Sequence, residues 1–210
     1  MYTELERAAI RTMRTNLETW VACASTHERH LALTWYDVAH THAQGLASTY
    51  GISIHQACAV LSVLSPGCDW DTNIRNAEDV CKAWVLESYD AVVSTYNGQL
   101  QKAYHILDSG ATLTGEGMFP FISQHSAQKT RAFYLNILYP QLDTYVTIDR
   151  WILRALGLDV QRTTPKLYAL GTRAMRIMAK HYGVLPQQMQ ALVWVCIRTR
   201  DGVPQMAMPF

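Results

Sequence analysis

Two residues of opposite charge stand where two successive helices are predicted to begin. Lys129 opens a run that favours a helix to Leu138, and Asp149 comes twenty residues later, ahead of a second helix over 150–156. Pro140 separates the two, because proline ends or follows a helix. An Asp at a helix start faces unpaired N–H groups, which favour its ionised form. The pair predicts a site with one amine and one anion. Taken singly, Lys129 is explained more simply as a solvated lysine at a helix start, and Asp149 as an ordinary helix cap.

The residues around this pair follow a recognisable order. Lys129-Thr130 is followed by the segment 148–154, which reads Ile-Asp-Arg-Trp-Ile-Leu-Arg. The segment resembles the catalytic region of the helix-hairpin-helix DNA glycosylases, the superfamily that contains endonuclease III and oxoguanine glycosylase. There a Lys-Thr or Lys-Val opens a helix, and Val-Asp-x-His-x-x-Arg follows at nearly this distance. The resemblance implies that Lys129 matches the Schiff-base lysine and Asp149 the essential aspartate.

The resemblance extends upstream to a buried helix and the loop after it. Residues 59–65 read Ala-Val-Leu-Ser-Val-Leu-Ser, a polar loop follows, and residues 73–77 read Asn-Ile-Arg-Asn-Ala. In the glycosylases the loop after such a Leu-Ser helix helps to hold the displaced base and the opposite strand. The resemblance therefore implies that Asp69, Trp70 and Asn73 belong to the base pocket or its loop. Ordinary turn chemistry, in which Asp69 and Asp71 bond the local backbone, explains these residues equally well.

The segment before Lys129 departs from the family. The glycosylase hairpin places Gly-x-Gly there, so that backbone N–H groups approach a DNA phosphate closely. Here residues 125–128 read His-Ser-Ala-Gln, without glycine, which indicates a divergent branch in which His125 or Ser126 supplies a side-chain donor. The resemblance implies DNA contacts from this segment and from both helix starts: Ser126, Gln128, Thr130, Arg131 and Arg150.

Charge is divided unevenly along the chain. Residues 1–128 carry a net charge of −6, whereas residues 129–200 carry +8. A basic C-terminal half suits phosphate contacts and salt-sensitive binding to DNA. The alternative is a solvated face on basic helices.

Composition excludes several classes of protein. Hydrophobic residues make up 49% of the 210 residues and charged residues 17%, which is typical of a globular protein. No apolar run approaches the roughly 20 residues that span a bilayer. The first residues also lack the apolar core of a secretion signal. We therefore expect a cytoplasmic protein, associated with the nucleoid or with the cytoplasm of a phage-infected host, and no contact with a membrane.

Cysteine and histidine spacing argues against a metal or an iron–sulfur cluster. The five cysteines are odd in number and form no Cys-x-x-Cys pair, so we expect reduced thiols. Only Cys196 follows the Asp149 helix, whereas some glycosylases carry a four-cysteine cluster there. His27, His30, His40 and His42 include no i, i+4 pair, so no metal site and no cofactor are predicted.

Local signals predict several helix boundaries in the first part of the chain. Ser53 is expected to cap a strongly apolar, buried helix over 54–64, and Asp71 or Thr72 to cap the next helix, which ends at Trp84. The segment over 109–126, with three glycines and a proline, is expected to form a loop.

Two more helices are predicted after the Asp149 helix. Thr163-Thr164-Pro165 marks the start of a basic amphipathic helix that Gly183 closes. The last helix is expected over 187–197, and the resemblance implies that Trp194 on it is a core residue.

Helical periodicity throughout predicts an all-α fold. The resemblance implies two helical lobes with a cleft between them. We expect a single unit over 1–210: a central lobe over 54–156, a second lobe from 1–50 plus 157–200, and a tail over 201–210. A monomer is expected.

The leading hypothesis is a DNA glycosylase-like enzyme, with or without β-lyase activity. Its partner would be double-stranded DNA containing a modified or damaged base, which it flips out and excises. One alternative is a phage-type transferase that hypermodifies a DNA base on the same scaffold. Another is a DNA-binding module without catalytic activity.

Overall fold

The computed structural model describes residues 2–96, 98–109, 128–160 and 164–200, which contain nine α-helices and no strand. The prediction of an all-α fold is confirmed. The helices are α1 Glu4–Ala22, α2 Thr26–Tyr50, α3 Ile54–Leu64, α4 Trp70–Val85, α5 Gln99–Asp108, α6 Gln128–Leu138, α7 Arg150–Ala155, α8 Pro165–Tyr182 and α9 Pro186–Arg200. None of these helices is long and apolar enough to cross a membrane.

Side-chain caps fix most helix starts. Ser53 caps α3 and forms a capping box with Gln56, so the predicted N-cap and the predicted range of this helix are both confirmed. Thr164 caps α8, whose first residue is a proline, and Gly183 ends the helix with a left-handed backbone. Because these caps need only neighbouring residues, the sequence alone located them.

Two helix ends differ from the prediction. Asp71 or Thr72 was expected to cap α4, but the cap is Asp69, whose side chain accepts a hydrogen bond from the Thr72 N–H. The helix therefore begins at Trp70, which is buried. The prediction also ended α9 at residue 197, whereas the helix continues through Arg200, whose guanidinium pairs with Glu28 at 3.2 Å.

The chain divides into two compact units. Unit 1 comprises Met1–Tyr36 and Gln141–Phe210. Within it α1 packs against α8 and α9, and α7 packs against α9. Its core includes the fully buried side chains Leu17, Ile152, Leu156 and Met175. The short α7 is held against α1 because Asn16 donates a side-chain hydrogen bond to the Leu156 carbonyl at 3.0 Å.

Unit 2 comprises Asp37–Pro140 and is built around α3. This helix contacts α4, α5 and α6, and every residue from Gln56 to Leu64 is buried, as the apolar sequence of the helix predicted. Gln56 is the polar exception within the first turn, and its side-chain amide donates to the Leu107 carbonyl at 2.9 Å. A helix buried on all sides leaves only its ends available for chemistry.

The boundaries between the units fall at residues 36/37 and 140/141. The sequence-based division placed them near residues 50 and 156, because helix ends are visible in a sequence whereas packing partners are not. Helix α2 is continuous across the first boundary. As a result, Lys129 belongs to unit 2 and Asp149 to unit 1, although both were expected in the central lobe.

Candidate functional site

Lys129 lies in the first turn of α6 and is half-buried. Its Nζ donates a hydrogen bond to Ser65 Oγ at 3.2 Å and lies 5.8 Å from the centre of the Phe133 ring. A cation at that distance from an aromatic face is attracted by it. Lys129 is therefore held against unit 2 by a hydroxyl and a ring, and it is not a fully solvated lysine.

Ser65, the C-cap of α3, connects this lysine to the buried helix. Its hydroxyl donates to the Ser62 carbonyl at 2.9 Å while accepting from Lys129. Ser62 in turn donates to the Thr130 carbonyl at 2.6 Å. The end of α3 and the start of α6 are thus fixed to each other. Sequence reasoning missed Ser65 as a site residue, although the Leu-Ser motif that ends α3 was the available signal.

The three predicted pocket residues lie at the start of α4, in the same unit as Lys129. Trp70 makes edge contacts with the Phe133 ring at 6.3 Å and the His42 ring at 6.1 Å. Asp69 caps the helix, as the alternative interpretation from turn chemistry anticipated. Asn73 is 1% exposed, and its amide donates to the Leu61 carbonyl at 2.9 Å.

Electrostatics and packing link the α3–α4 loop to Lys129. Burial raises the pKa of the Cys68 thiol and the charge of Asp69 adds to this effect, whereas the charge of Lys129 opposes it. Trp70 and Lys129 both contact Phe133. The structure therefore brings Lys129 together with Ser65, and it places both Lys129 and Trp70 on the Phe133 ring. The Oδ1 atom of Asn73 is buried without a hydrogen-bond partner among the described residues.

Asp149 is the N-cap of α7, as predicted, and belongs to unit 1. Its Oδ1 accepts hydrogen bonds from the backbone N–H groups of Trp151 at 3.0 Å and Ile152 at 2.9 Å. Its Oδ2 accepts a hydrogen bond from the indole Nε1 of Trp194 at 3.1 Å. Hydrogen bonds to an ionised acceptor are stronger than those between neutral groups. The carboxylate is consequently fixed in position by three donors.

Trp194 was expected to be a core residue, and this expectation is wrong. The Trp194 side chain is half-buried. Its indole N–H donates to the Asp149 carboxylate, and its ring contacts the Trp35 ring edge-on, with 5.9 Å between the ring centres. A tryptophan N–H usually finds a partner when it leaves water. The partner is 45 residues away in the chain, so no local pattern indicates it.

The segment that leads into Asp149 is held by Tyr168 on α8. The Tyr168 hydroxyl donates to the Val146 carbonyl at 2.8 Å and accepts from the Ile148 N–H at 3.2 Å. Burial raises the pKa of this tyrosine, and the negative charge of Asp149 raises it further. The two hydrogen bonds with the Tyr168 hydroxyl therefore hold the backbone that precedes Asp149 in place.

Three guanidinium groups surround Trp151, the second residue of α7. Arg150 lies 5.4 Å, Arg154 4.7 Å and Arg198 5.8 Å from the ring centre, and Arg198 also lies 4.6 Å from the Trp194 ring. Of these, only Arg150 was among the predicted DNA-binding residues. Arg154 lies four residues after Arg150 on the same helix, so the sequence could have indicated that the two side chains share a face. Arg198 lies on α9, and no local pattern connects it with α7.

The other predicted DNA-binding residues cluster around Lys129. Gln128, Thr130 and Arg131 are half-buried in the first turn of α6. Ser126 lies outside the described residues, as does nearly all of the loop predicted over 109–126. The structure thus places three of the five with the lysine in unit 2, and Arg150 with the aspartate in unit 1.

Of the four histidines in the predicted group, His27 and His30 are exposed, whereas the other two are half-buried. His40 Nδ1 lies 2.9 Å from the Ile137 carbonyl, and His42 packs on Trp70. Among the described residues no group of three His, Cys, Asp or Glu side chains could hold a metal ion.

Comparison with known proteins gives one result. Neither the curated proteins nor the solved structures contain a match to this chain. One family model matches residues 2–201, which is nearly the whole sequence. The chain therefore belongs to a family of unknown function (DUF7178).

Proposed function

We propose that the chain is a DNA glycosylase-like enzyme that flips a modified or damaged base out of duplex DNA and excises it. The observation that carries the proposal is the environment of Lys129, a half-buried amine bonded to Ser65 and packed on Phe133. Proteins make a lysine nucleophilic by withdrawing it from water. The resemblance noted in the sequence assigns the same residue to Schiff-base chemistry.

The proposed reaction begins with extrusion of the nucleotide, because duplex stacking hides a base from any protein nucleophile. The unprotonated Lys129 amine would then attack C1′ of the sugar, and the bond from C1′ to the base would break, with the electron pair leaving on the base. Opening of the sugar ring would give a Schiff base, from which β-elimination cleaves the strand. The resemblance assigns to Asp149 the stabilisation of the positive charge that develops at C1′.

The setting of Asp149 supports that role. Three N–H donors hold its two oxygens, so the carboxylate keeps one orientation. A charge stabiliser acts best when it is fixed before the reaction, since no reorganisation is then needed in the transition state. If Lys129 does not react, Asp149 and a water molecule provide a purely hydrolytic route.

Borohydride trapping tests the proposal. Wild type, Lys129→Ala and Asp149→Asn would be incubated with duplexes that carry different modified bases, reduced, and examined for covalent protein–DNA adducts. We expect an adduct with wild type that is lost in Lys129→Ala. Lys82→Ala is the matched control, because Lys82 is an exposed lysine of the same unit.

The other outcomes are equally informative. Release of free base without an adduct, if dependent on Asp149, would replace the Schiff base by hydrolysis. An adduct that persists in Lys129→Ala would overturn the assignment of the nucleophile. Absence of DNA binding, or binding that does not respond to salt, would overturn the proposal altogether.

A second candidate function is base hypermodification of the phage type. It is favoured by the absence of glycine from residues 125–128, where the glycosylase hairpin requires it. Such a transferase would keep the base-flipping site and the aspartate but would attack a different bond. Duplex binding without an adduct or base release on any substrate would favour this candidate.

A further inference from the structure

We infer that the exposed Arg150 and Arg154, held on Trp151 with the buried Arg198 beside the same ring, form a binding surface for the phosphates of a DNA strand. This surface, the Trp151 arginine cluster, lies wholly in unit 1. The inference rests on the proposed function for the identity of the polyanion. It adds Arg154 to the residues that contact the strand, and it makes Trp151 and Arg198 the residues that position the two exposed arginines.

One aromatic ring gathers three arginine side chains at this place. The three guanidinium groups lie between 4.7 and 5.8 Å from the centre of the Trp151 ring. Each cation is attracted by the ring, which holds the arginine side chains near it. The two exposed arginines therefore present several N–H donors to an anion that is long enough to contact both, as a nucleic acid strand is.

The shape of the guanidinium group also favours phosphate as the ligand. A guanidinium presents its N–H groups in a rigid fork that matches a phosphate, and packing on an aromatic ring reduces the freedom that this fork loses on binding. Arg150 and Arg154 are exposed, and Arg150 makes no ion pair within the described residues. The indole therefore serves as a support for the arginines.

The net charge of unit 1 as a whole also favours a polyanion. Unit 1 contains 13 Lys and Arg against 8 Asp and Glu, giving +5. An excess of positive charge raises the local concentration of a polyanion before specific contacts form. Contacts to phosphate then position a strand without reading its sequence.

The test is the salt dependence of duplex binding, measured by fluorescence anisotropy with a short labelled duplex that contains no modified base. Each phosphate contact contributes about −0.9 to the slope of log affinity against log salt concentration. We expect Arg150→Gln and Arg154→Gln each to reduce the slope by about 1 and the affinity about fivefold at about 0.15 M salt.

Two further variants test whether the arginines contact the phosphates directly or act only through the net positive charge of the unit. Trp151→Leu leaves the number of charges unchanged, and we expect it to weaken binding because the arginines lose their support. Arg173→Gln is the matched control, an exposed arginine of α8 in the same unit, and we expect it to leave the slope nearly unchanged. Thermal melts followed by circular dichroism verify that each of these variants is folded.

Equal effects of Arg154→Gln and Arg173→Gln would overturn the inference, since only net charge would then matter. Tighter binding to phosphatidylserine vesicles than to the duplex would overturn it as well. Cluster-dependent DNA binding without any Lys129 adduct would leave the inference standing while the proposed excision fails. The reverse result, an adduct without dependence on the cluster, would remove only the inference.

Discussion

The two units differ in charge and in the way each holds its candidate catalytic group. Unit 1 has a net charge of +5, whereas unit 2, with 5 Lys and Arg against 9 Asp and Glu, has −4. The proposed nucleophile, Lys129, belongs to the acidic unit, and Asp149 belongs to the basic one. The excess of positive charge therefore lies on the unit that contains Asp149 and not on the unit that contains Lys129.

The kinds of contact that hold Asp149 and Lys129 also differ between the two units. Asp149 is fixed by three N–H donors, two of them from the backbone. Lys129 is held by the Ser65 hydroxyl and by its contact with the Phe133 ring, both of which are side-chain interactions. A charge stabiliser benefits from rigidity, whereas a nucleophile must move along its path of attack. The comparison therefore predicts that substitutions at the unit 1 site cost more stability than those at the unit 2 site.

The largest expected effect is at the two aspartate caps. We expect Asp149→Ala to lower the free energy of unfolding by about 3 kcal/mol, because it removes a cap and leaves the Trp194 N–H without this partner. Asp69→Ala in unit 2 removes the cap of α4 and should cost about 1 kcal/mol. Urea unfolding followed by circular dichroism measures both. Asp149→Asn, which can keep the backbone bonds, is the control, and equal losses at the two caps would contradict the comparison.

A smaller effect is expected at two buried tyrosine hydroxyls. Tyr36 in unit 1 bonds Gln190 at 2.7 Å and Thr147 at 3.2 Å, so Tyr36→Phe leaves two buried groups short of a partner. Tyr134 in unit 2 bonds His55 at 2.9 Å, and this histidine is half-buried and can turn to water. We expect losses of about 2 and about 1 kcal/mol in unfolding free energy. A larger loss of unfolding free energy in Tyr134→Phe than in Tyr36→Phe would contradict the predicted difference between the units.

The smallest effect concerns acid sensitivity in unit 2. Burial lowers the pKa of His55 below its ordinary 6.5, so the unfolded chain takes up a proton before the folded chain does. Its contribution to stability is present above about pH 6.5 and is lost as the pH falls through the folded pKa. We expect His55→Gln to flatten the dependence of unfolding free energy on pH below about 6.5. The exposed His27→Gln is the control, and unchanged acid sensitivity in His55→Gln would exclude this histidine as the cause.

Local features of the fold were predictable from the sequence because their causes are local. Ser53, Asp149 and Thr164 were recognised as helix starts, since a cap needs only a short polar side chain and the N–H groups two or three residues further on. The apolar run of α3 likewise indicated a buried helix. The start of α4 was misplaced because several polar residues there can act as a cap, and the structure shows that Asp69 does so by accepting from the Thr72 N–H.

The sequence by itself determined that the chain is helical, where most helices begin, and which lysine and aspartate lie at helix starts. Only the tertiary structure decided their surroundings: Ser65 for Lys129, 64 residues away, and Trp194 for Asp149, 45 residues away. It also decided that Arg198 of α9 joins Arg150 and Arg154 around Trp151. The reason is physical. Helical periodicity and caps depend on residues within a turn of each other, whereas the burial that selects packing partners is non-directional and acts between distant segments of the chain.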